Sequence, residues 1–485
     1  MPESDSLEFV PLHFGRKLRI VNPHGRIGVL TLWSRIDYVE SKLRELGIDL
    51  DQHTSRIAAI GNLYGNGLPH LLRNLLFNPQ IRDLVVCGTD RSGSCAELVS
   101  FFERGLEQAE SLGEKVTRIA GTSRVIDDLV TPESFAEKPR IVCVGDLKSD
   151  SSLKELHNVI HSCVPPPPAS RERVEIALPE VNVSFYPSNP RNHNIVKDTP
   201  LEAWRELVFR LVRFGRPVRL RKGERQELQN VRVVVVNPRA DAEDRLREFG
   251  FDLADVLAYQ KDMLEAELPA DQPYTYGNRI RSYYGYDALE LFAERLRENP
   301  QDRDCYLALW DSRVDPSAED APCLVSMFFR VFDEKLTLTA TYRTHNALDA
   351  WLKNVYGLME AQRVVAERVG LEAGPLTIIS HSISIDPSKY DFARRVAETK
   401  GFSMELDPNG QFLVTLDEEA GEILVQHTTE DGIILGEYRS AKAERIQYEL
   451  NRDCAISDIN HAIYIGRMLA KAEECLRTGE EFAED

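Results

Sequence analysis

APCLVSMFFRVF (321–332), which turns through DEK into LTLTATYRTHN (336–346), reads as two adjoining strands and decides the fold of the second half of the chain. With CYLALW (305–310) before it, a strand at VRVVVVNP (231–238) and helices such as Leu201–Phe214, it predicts an α+β domain with a largely antiparallel or mixed sheet. The same stretch carries the chemistry. Trp310 lies 13 residues before Cys323 and Arg303 lies 20 before it, while Arg343 lies 20 after it and Asn354 follows 11 further on. A strand-borne thiol with arginines at fixed offsets suits a phosphorylated substrate held against a nucleophile.

Toward the N-terminus the pattern changes. RIGVLTLW (26–33), RIAAIGNLY (56–64), DLVVCGT (83–89) and RIVCVGDL (140–147) are continuous apolar runs, separated by helical stretches at Tyr38–Leu46, through Leu71 and from Ala96. Such runs predict a parallel, doubly wound α/β domain over 1–165, with ligands received in the loops after Trp33, Leu63 and Gly88. VPPPPAS (164–170) can continue neither a helix nor a central strand, so 166–198 is expected to be a Pro-rich linker or a strapped-down arm. The second domain then spans 199–400. Beyond it, in 401–485, QFLVTLDEEAGEILVQHTT (411–429) alternates apolar and polar residues and predicts a small β-hairpin before a C-terminal helix.

Composition narrows the function. A net charge of −19 disfavours nucleic acid as a partner, although RKLR (16–19) and Arg213–Arg225 are local basic stretches. No apolar run reaches the roughly 18–20 residues that cross a bilayer, and MPESDSLEFV lacks the pattern of a secretory leader, so no membrane and a cytoplasmic location are expected. The eight cysteines show no metal-ligand spacing; Cys87, Cys143 and Cys305 read as buried core thiols, and disulfides are not expected. His345 and Asp349 read as helix-start and capping residues.

YGNRIR (276–281), NPQDR (299–303), LALWD (307–311), APCLVSMFFRV (321–331) and YRTHN (342–346) together resemble thymidylate synthase, over about residues 199–400. The resemblance implies that Cys323 adds to C6 of a pyrimidine and that Arg221, Arg303, Arg343 and Thr344 hold the 5′-phosphate, with Arg303 reaching in from the partner of a homodimer. It implies that Asn354 reads the base edge, favouring uracil, and that Trp310, Tyr276 and Arg281 line the nucleotide pocket. The donor would be a reduced folate or a tetrahydromethanopterin-type pterin, and the product methylated or hydroxymethylated; a nucleotide-binding regulatory protein without turnover is the alternative. The chain departs from the family pattern in several places. Leu324 stands for the His after the Cys, Phe328 for a Gln, Tyr342 for the Gln before the phosphate Arg, and Asn346 for an Asp; Ser384 and Asp386 fall on the His-x-Tyr pair that reads the sugar. The family's active-site Glu has no match, though Tyr259 and Glu265 lie in its region. SHS (380–382) and INHAIYIGRMLAKAEECLRTGEEF (459–482) resemble the archaeal-type synthases, and His461 and Tyr464 are expected to face the core of the second domain.

Residues 15–160 resemble the corrinoid-carrying subunit of tetrahydromethanopterin S-methyltransferase, which ligates cobalt through a His just after a Gly. Gly93 is followed here by Ser94, which cannot replace an imidazole, so bound corrinoid is disfavoured. The Gly-rich stretches 61–67 and 88–93 either admit a ligand close to the backbone or form tight turns.

Overall fold

A computed structural model describes residues 7–163, 172–179, 186–188, 193–220, 223–318, 320–401 and 406–483. The Pro-rich run 164–170 and Arg221 lie outside the described residues. Two compact units emerge, 1–400 and 401–485. Among the described residues no helix is long and apolar enough to cross a membrane.

The first unit begins with β1 (Arg19–Ile20), β2 (Ile27–Leu30), α1 (Ile36–Glu45), β3 (Ile57–Gly61), α2 (Leu68–Phe77), β4 (Asp83–Cys87), α3 (Ser94–Arg104), β5 (Leu106–Ser111), β6 (Glu114–Ile119), β7 (Arg140–Gly145) and α4 (Asp150–Ser162). The first sheet has the order β1-β3-β2-β4-β7, with β3, β2, β4 and β7 parallel and β1 antiparallel at the edge. Its strands are apolar on both faces because both are covered: Val39, Leu43, Leu156 and Ile160 of α1 and α4 pack on one, Leu72, Leu76, Leu98 and Phe101 of α2 and α3 on the other. The hairpin of β5 and β6 pairs apart from this sheet.

Two expectations about cysteine fail here. Cys95 at the start of α3 and Cys143 on β7 form a disulfide, and Cys143 is exposed on its edge strand rather than buried. The partners are 48 residues apart and meet only because β7 docks beside β4, which spacing alone cannot reveal. Cys87 and Cys305 are buried.

The chain continues through β8 (Asn194–Lys197), α5 (Pro200–Phe214), β9 (Arg216–Leu220), β10 (Gly223–Val235), α6 (Glu243–Glu248), α7 (Leu253–Leu264), α8 (Tyr276–Arg281), α9 (Ala288–Glu298), β11 (Tyr306–Ala308), β12 (Leu324–Phe332), β13 (Lys335–Tyr342), β14 (His345–Asn346), α10 (Trp351–Val369), β15 (Glu372–Ile385) and α11 (Tyr390–Glu398). The second sheet is mixed, in the order β11-β12-β13-β15-β10-β8, with β14 on β15 and β9 on β10. β8 corrects the expected linker: its apolar Ile195 is buried, and it adds a parallel edge strand to β10. Residues 172–179 are strapped onto α2, where the buried Arg73 donates to the carbonyls of Ile176 and Ala177 and pairs with Asp127 at 2.8 Å. Trp204, Leu207 and Leu211 of α5 and Trp351, Leu352 and Val355 of α10 fill the core under this sheet. Gly357 is where α7 crosses α10: a Cβ there would meet Met263 at 3.0 Å and Tyr259 at 3.1 Å.

The second unit is larger than the expected hairpin and single helix. β16 (Gln411–Asp417), β17 (Glu422–Thr428) and β18 (Ile434–Ser440) form an antiparallel sheet covered by α12 (Ala443–Arg452) and α13 (Ile459–Thr478). His461 and Tyr464 pack within this unit's own core, where His461 Nδ1 lies 3.2 Å from the buried carboxylate of Asp407.

Candidate active site

Cys323 is half-buried on the loop entering β12, and a register shift between Leu324 and Ser326 breaks the ladder just after it. A bulge at such a point re-aims the side chains around it. The thiol Sγ lies 3.3 Å from Oγ1 of Thr344. Arg343, leaving β13, braces the same loop. Its backbone N–H donates to the carbonyl of Cys323 at 2.9 Å, and its Nε and Nη2 donate to the carbonyls of Pro322 (2.9 Å) and Ala321 (2.7 Å). A guanidinium has five N–H donors, so the remainder stay available to an anion. The group also lies 5.5 Å from the ring centre of Trp310. Trp310 is fixed by a buried ion pair, since Arg279 binds Asp315 at 2.7 Å and donates to the carbonyl of Leu309.

Four phenols wall the thiol. The hydroxyl of Tyr276 accepts from the backbone N–H of Leu324 at 3.3 Å, and the rings of Tyr274 and Tyr342 lie 5.9 Å and 6.5 Å from its own. Burial pushes the phenols of Tyr259, Tyr274, Tyr276 and Tyr342 well above their ordinary value, and their electrostatic interactions with one another and with Cys323 push further. At neutral pH all four are protonated, so they act as hydrogen-bonding hydroxyls rather than bases. The Tyr342 hydroxyl is fully buried and has no hydrogen-bond partner among the described residues.

Behind them Asn354, on the first turn of α10, is held at both ends of its carboxamide. Oδ1 accepts from the Tyr259 hydroxyl, and Nδ2 lies 2.8 Å from Nε2 of His345. Burial lowers His345 to about 3, so the ring is neutral; with Nε2 accepting, Nδ1–H donates to Ser380 Oγ at 3.1 Å. The imidazole stacks on Tyr342 at 4.0 Å. Asn354 therefore keeps one lone pair and one N–H for a ligand. His345 is a member of this buried chain, not a helix-start residue, because β14 pairs with β15 and carries it inward.

Other predicted residues have partners of their own within the chain. Arg281 pairs with Asp287 and donates to the carbonyl of Leu264, which ties α8 to the start of α9. Asn346 caps its own turn, accepting from the backbone of Leu348 and Asp349 at 3.1 Å. Asp349 pairs with Lys389. Ser384 pairs in register with Asn346 across β14 and β15, and Asp386 caps the turn after β15 and meets Arg225 at 2.5 Å. Arg303 is exposed on the loop before β11, and Glu265 is exposed beside Leu257, Gln260 and Lys261. Sequence reasoning missed Tyr259, Tyr274, His345 and Ser380 as members of the site; for Tyr259, His345 and Ser380 the available signal was an apolar strand or helix context, and Tyr274, in a polar loop, had none. The N-terminal parallel sheet also borders the site, since the charge of Arg91, in the loop after β4, acts on the Tyr259 phenol.

Residues 222–407 match the family model for thymidylate synthase, and residues 406–485 match a second one, PterinBD-DUF4346. The C-terminal segment thus has a match of its own, separate from the synthase domain. Proteins named "Putative thymidylate synthase" are similar to this chain in several archaea. Those of Methanothermobacter marburgensis and Methanosarcina mazei are each 30% identical, over 205 and 207 residues, covering 40% and 41% of this chain and 91% of each relative. That of Methanopyrus kandleri is 31% identical over 178 residues, 36% of this chain and 85% of the relative. The spacing around Cys323, the mixed sheet that carries it and these matches agree: the chain belongs to the thymidylate synthase family.

Proposed function

We propose that the protein methylates C5 of a pyrimidine nucleotide, dUMP being favoured, with the one-carbon unit supplied by a reduced pterin as co-substrate. The observation that carries this reading is the convergence of Cys323, Thr344, Arg343 and Trp310 at one end of β12 and β13. Cys323 adds to C6, leaving C5 as the carbon that attacks the one-carbon electrophile; C5 then gives up its proton, a hydride from the reduced pterin completes the methyl group, and the thiol departs as the C5–C6 double bond is restored. Arg343, with Arg221 and the Arg303 of a second copy, receives the phosphate; Asn354 offers its free acceptor and donor to N3–H and O4 of uracil. The match of 406–485 to a family model named for pterin binding supports the donor class.

Because a neutral imidazole and four protonated phenols stand near the thiol, the phenol hydroxyls are the groups we assign to proton handling at the base. Hydroxymethylation, in which water rather than hydride completes the reaction, uses the same covalent step. The test is thiol-dependent dehalogenation of 5-bromo-dUMP against 5-bromo-UMP and 5-bromo-dCMP. Turnover of 5-bromo-dUMP that is lost in Cys323→Ala is the expected outcome. Binding without turnover would replace catalysis by a regulatory role.

A further inference from the structure

The crevice at the carboxyl ends of β2 and β4 is where an open parallel sheet receives its ligand, because these strands send their chains to opposite faces. Here it holds a carboxylate of the same chain. Asp271, from the loop between α7 and α8, is 1% exposed. Its Oδ2 accepts from Ser34 Oγ and Thr89 Oγ1, each at 2.8 Å, Lys148 Nζ lies 3.4 Å from Oδ1, and its backbone carbonyl accepts from the N–H of Arg35 at 3.3 Å. Asp146 shares the Thr89 hydroxyl, and Lys148 lies 3.9 Å from it, so one cation serves both carboxylates. Burial opposes ionisation of Asp271, yet the hydroxyls of Thr89 and Ser34 and the charge of Lys148 outweigh it and hold the group below its ordinary value. Gly88 makes the crevice narrow enough: at φ +97° a Cβ would meet the Thr31 carbonyl at 2.6 Å and Ser34 Oγ at 2.7 Å.

The loop that delivers Asp271 also delivers two of the phenols at Cys323. Only Gln272 and Pro273 separate it from Tyr274, and Tyr276 opens α8. The far end of the loop is pinned. Asn278 Nδ2 donates to the carbonyl of Ala266 at 2.8 Å, and Gly277 lies where a Cβ would meet the Glu265 carbonyl at 2.2 Å. With both ends held and Pro273 fixing one φ angle between them, the position of Asp271 constrains that of Tyr274.

We propose that the first domain's ligand crevice is a carboxylate site filled in cis by Asp271, and that this contact positions Tyr274 and Tyr276 against Cys323. Asp271 is thus a positioning residue, and the first domain is a fixed wall of the site rather than a mobile carrier. The kinetic part rests on Cys323 being the nucleophile; the positional part does not.

The test uses the full chain without nucleotide. Hydrogen exchange of 265–282 and the rate of Cys323 carboxamidomethylation by iodoacetamide, followed on its own peptide, are compared in wild type, Asp271→Ala, Asp271→Asn and the Ser34→Ala/Thr89→Val pair. Asp271→Ala and the pair are expected to raise both rates about tenfold, because charge-assisted hydrogen bonds are lost. Asp271→Asn, which can still accept from Ser34 and Thr89, is expected to fall between them and wild type. Unchanged exchange and alkylation in Asp271→Ala and in the pair would overturn the proposal. Since neither readout needs turnover, failure of dehalogenation would strike the proposed reaction and leave this one standing.

Discussion

The crevice of the first domain and the pocket at Cys323 are both polar and both lie at strand ends, but their hydrogen bonds are spent differently. In the crevice Ser34 and Thr89 donate to Asp271 Oδ2, the charge of Lys148 stands 3.4 Å from Oδ1, and the carboxylate is sealed from solvent. In the pocket Cys323 is half-exposed, Arg343 has N–H groups to spare, and the buried Tyr342 hydroxyl has no partner among the described residues. Most buried polar groups in folded proteins are paired, so unspent donors beside a half-exposed thiol suit a ligand better than a sealed carboxylate does. The most direct way to break this contrast is Cys323→Ala. Dehalogenation of 5-bromo-dUMP is expected to fall below detection while nucleotide binding, measured calorimetrically, stays near wild type; retained turnover would remove Cys323 from the chemistry.

The next largest effect is expected from Arg343→Ala. Loss of a charge-assisted partner weakens binding by about 1.5–3 kcal/mol, or roughly 10- to 100-fold. Because Arg343 also braces Ala321 and Pro322, the loss should appear in both KM and kcat for dehalogenation. Arg343→Lys is not expected to rescue it, since an ammonium cannot reproduce the fork that spans two carbonyls and an anion.

The same contrast separates what was legible in the sequence from what was not. The parallel strands were legible because burial on both faces leaves continuous apolar runs such as IAAIG and DLVVC, and β12 and β13 because their apolar residues recur along the pair. The interval from Cys323 to Arg343 brings both to one end of adjacent strands, so spacing reached the open half of the site. It did not reach the pairs that lie far apart in the chain. Asp271 finds Ser34 across 237 residues, Tyr259 finds Asn354 across 95, and Cys95 finds Cys143 across 48. Nor did spacing show that Arg281, Asn346 and Asp386 have local partners in Asp287, the Leu348–Asp349 backbone and Ser388.

A smaller effect tests the buried chain behind the pocket. His345 is held near 3 against an ordinary value of about 6.5, so below that pH the unfolded chain binds the proton that the folded one refuses. Its contribution to stability is present above about pH 6.5 and is lost as pH falls toward 3, by about 1.4 kcal/mol per pH unit. Urea unfolding of wild type and His345→Asn between pH 7 and 5 should show the wild type losing its advantage on acidification. His13 and His70, also lowered by burial, are common to both proteins and cancel in the difference.

The finest test compares two tyrosines that differ by one hydrogen bond. Tyr259 donates to Asn354, whereas the Tyr342 hydroxyl has no partner among the described residues. Tyr259→Phe leaves a buried amide oxygen short of its donor and should cost about 1 kcal/mol of stability without nucleotide. Tyr342→Phe removes a desolvated hydroxyl that gains nothing in return, so stability should hold or rise by up to about 1 kcal/mol. If the pocket's unspent groups serve a ligand, the order reverses with ligand present: Tyr342→Phe should weaken nucleotide binding by roughly 3- to 10-fold, the worth of one hydrogen bond. Equal affinity for Tyr342→Phe and wild type would show that this hydroxyl is strain left in the fold, and that the unspent groups around Cys323 are fewer by one.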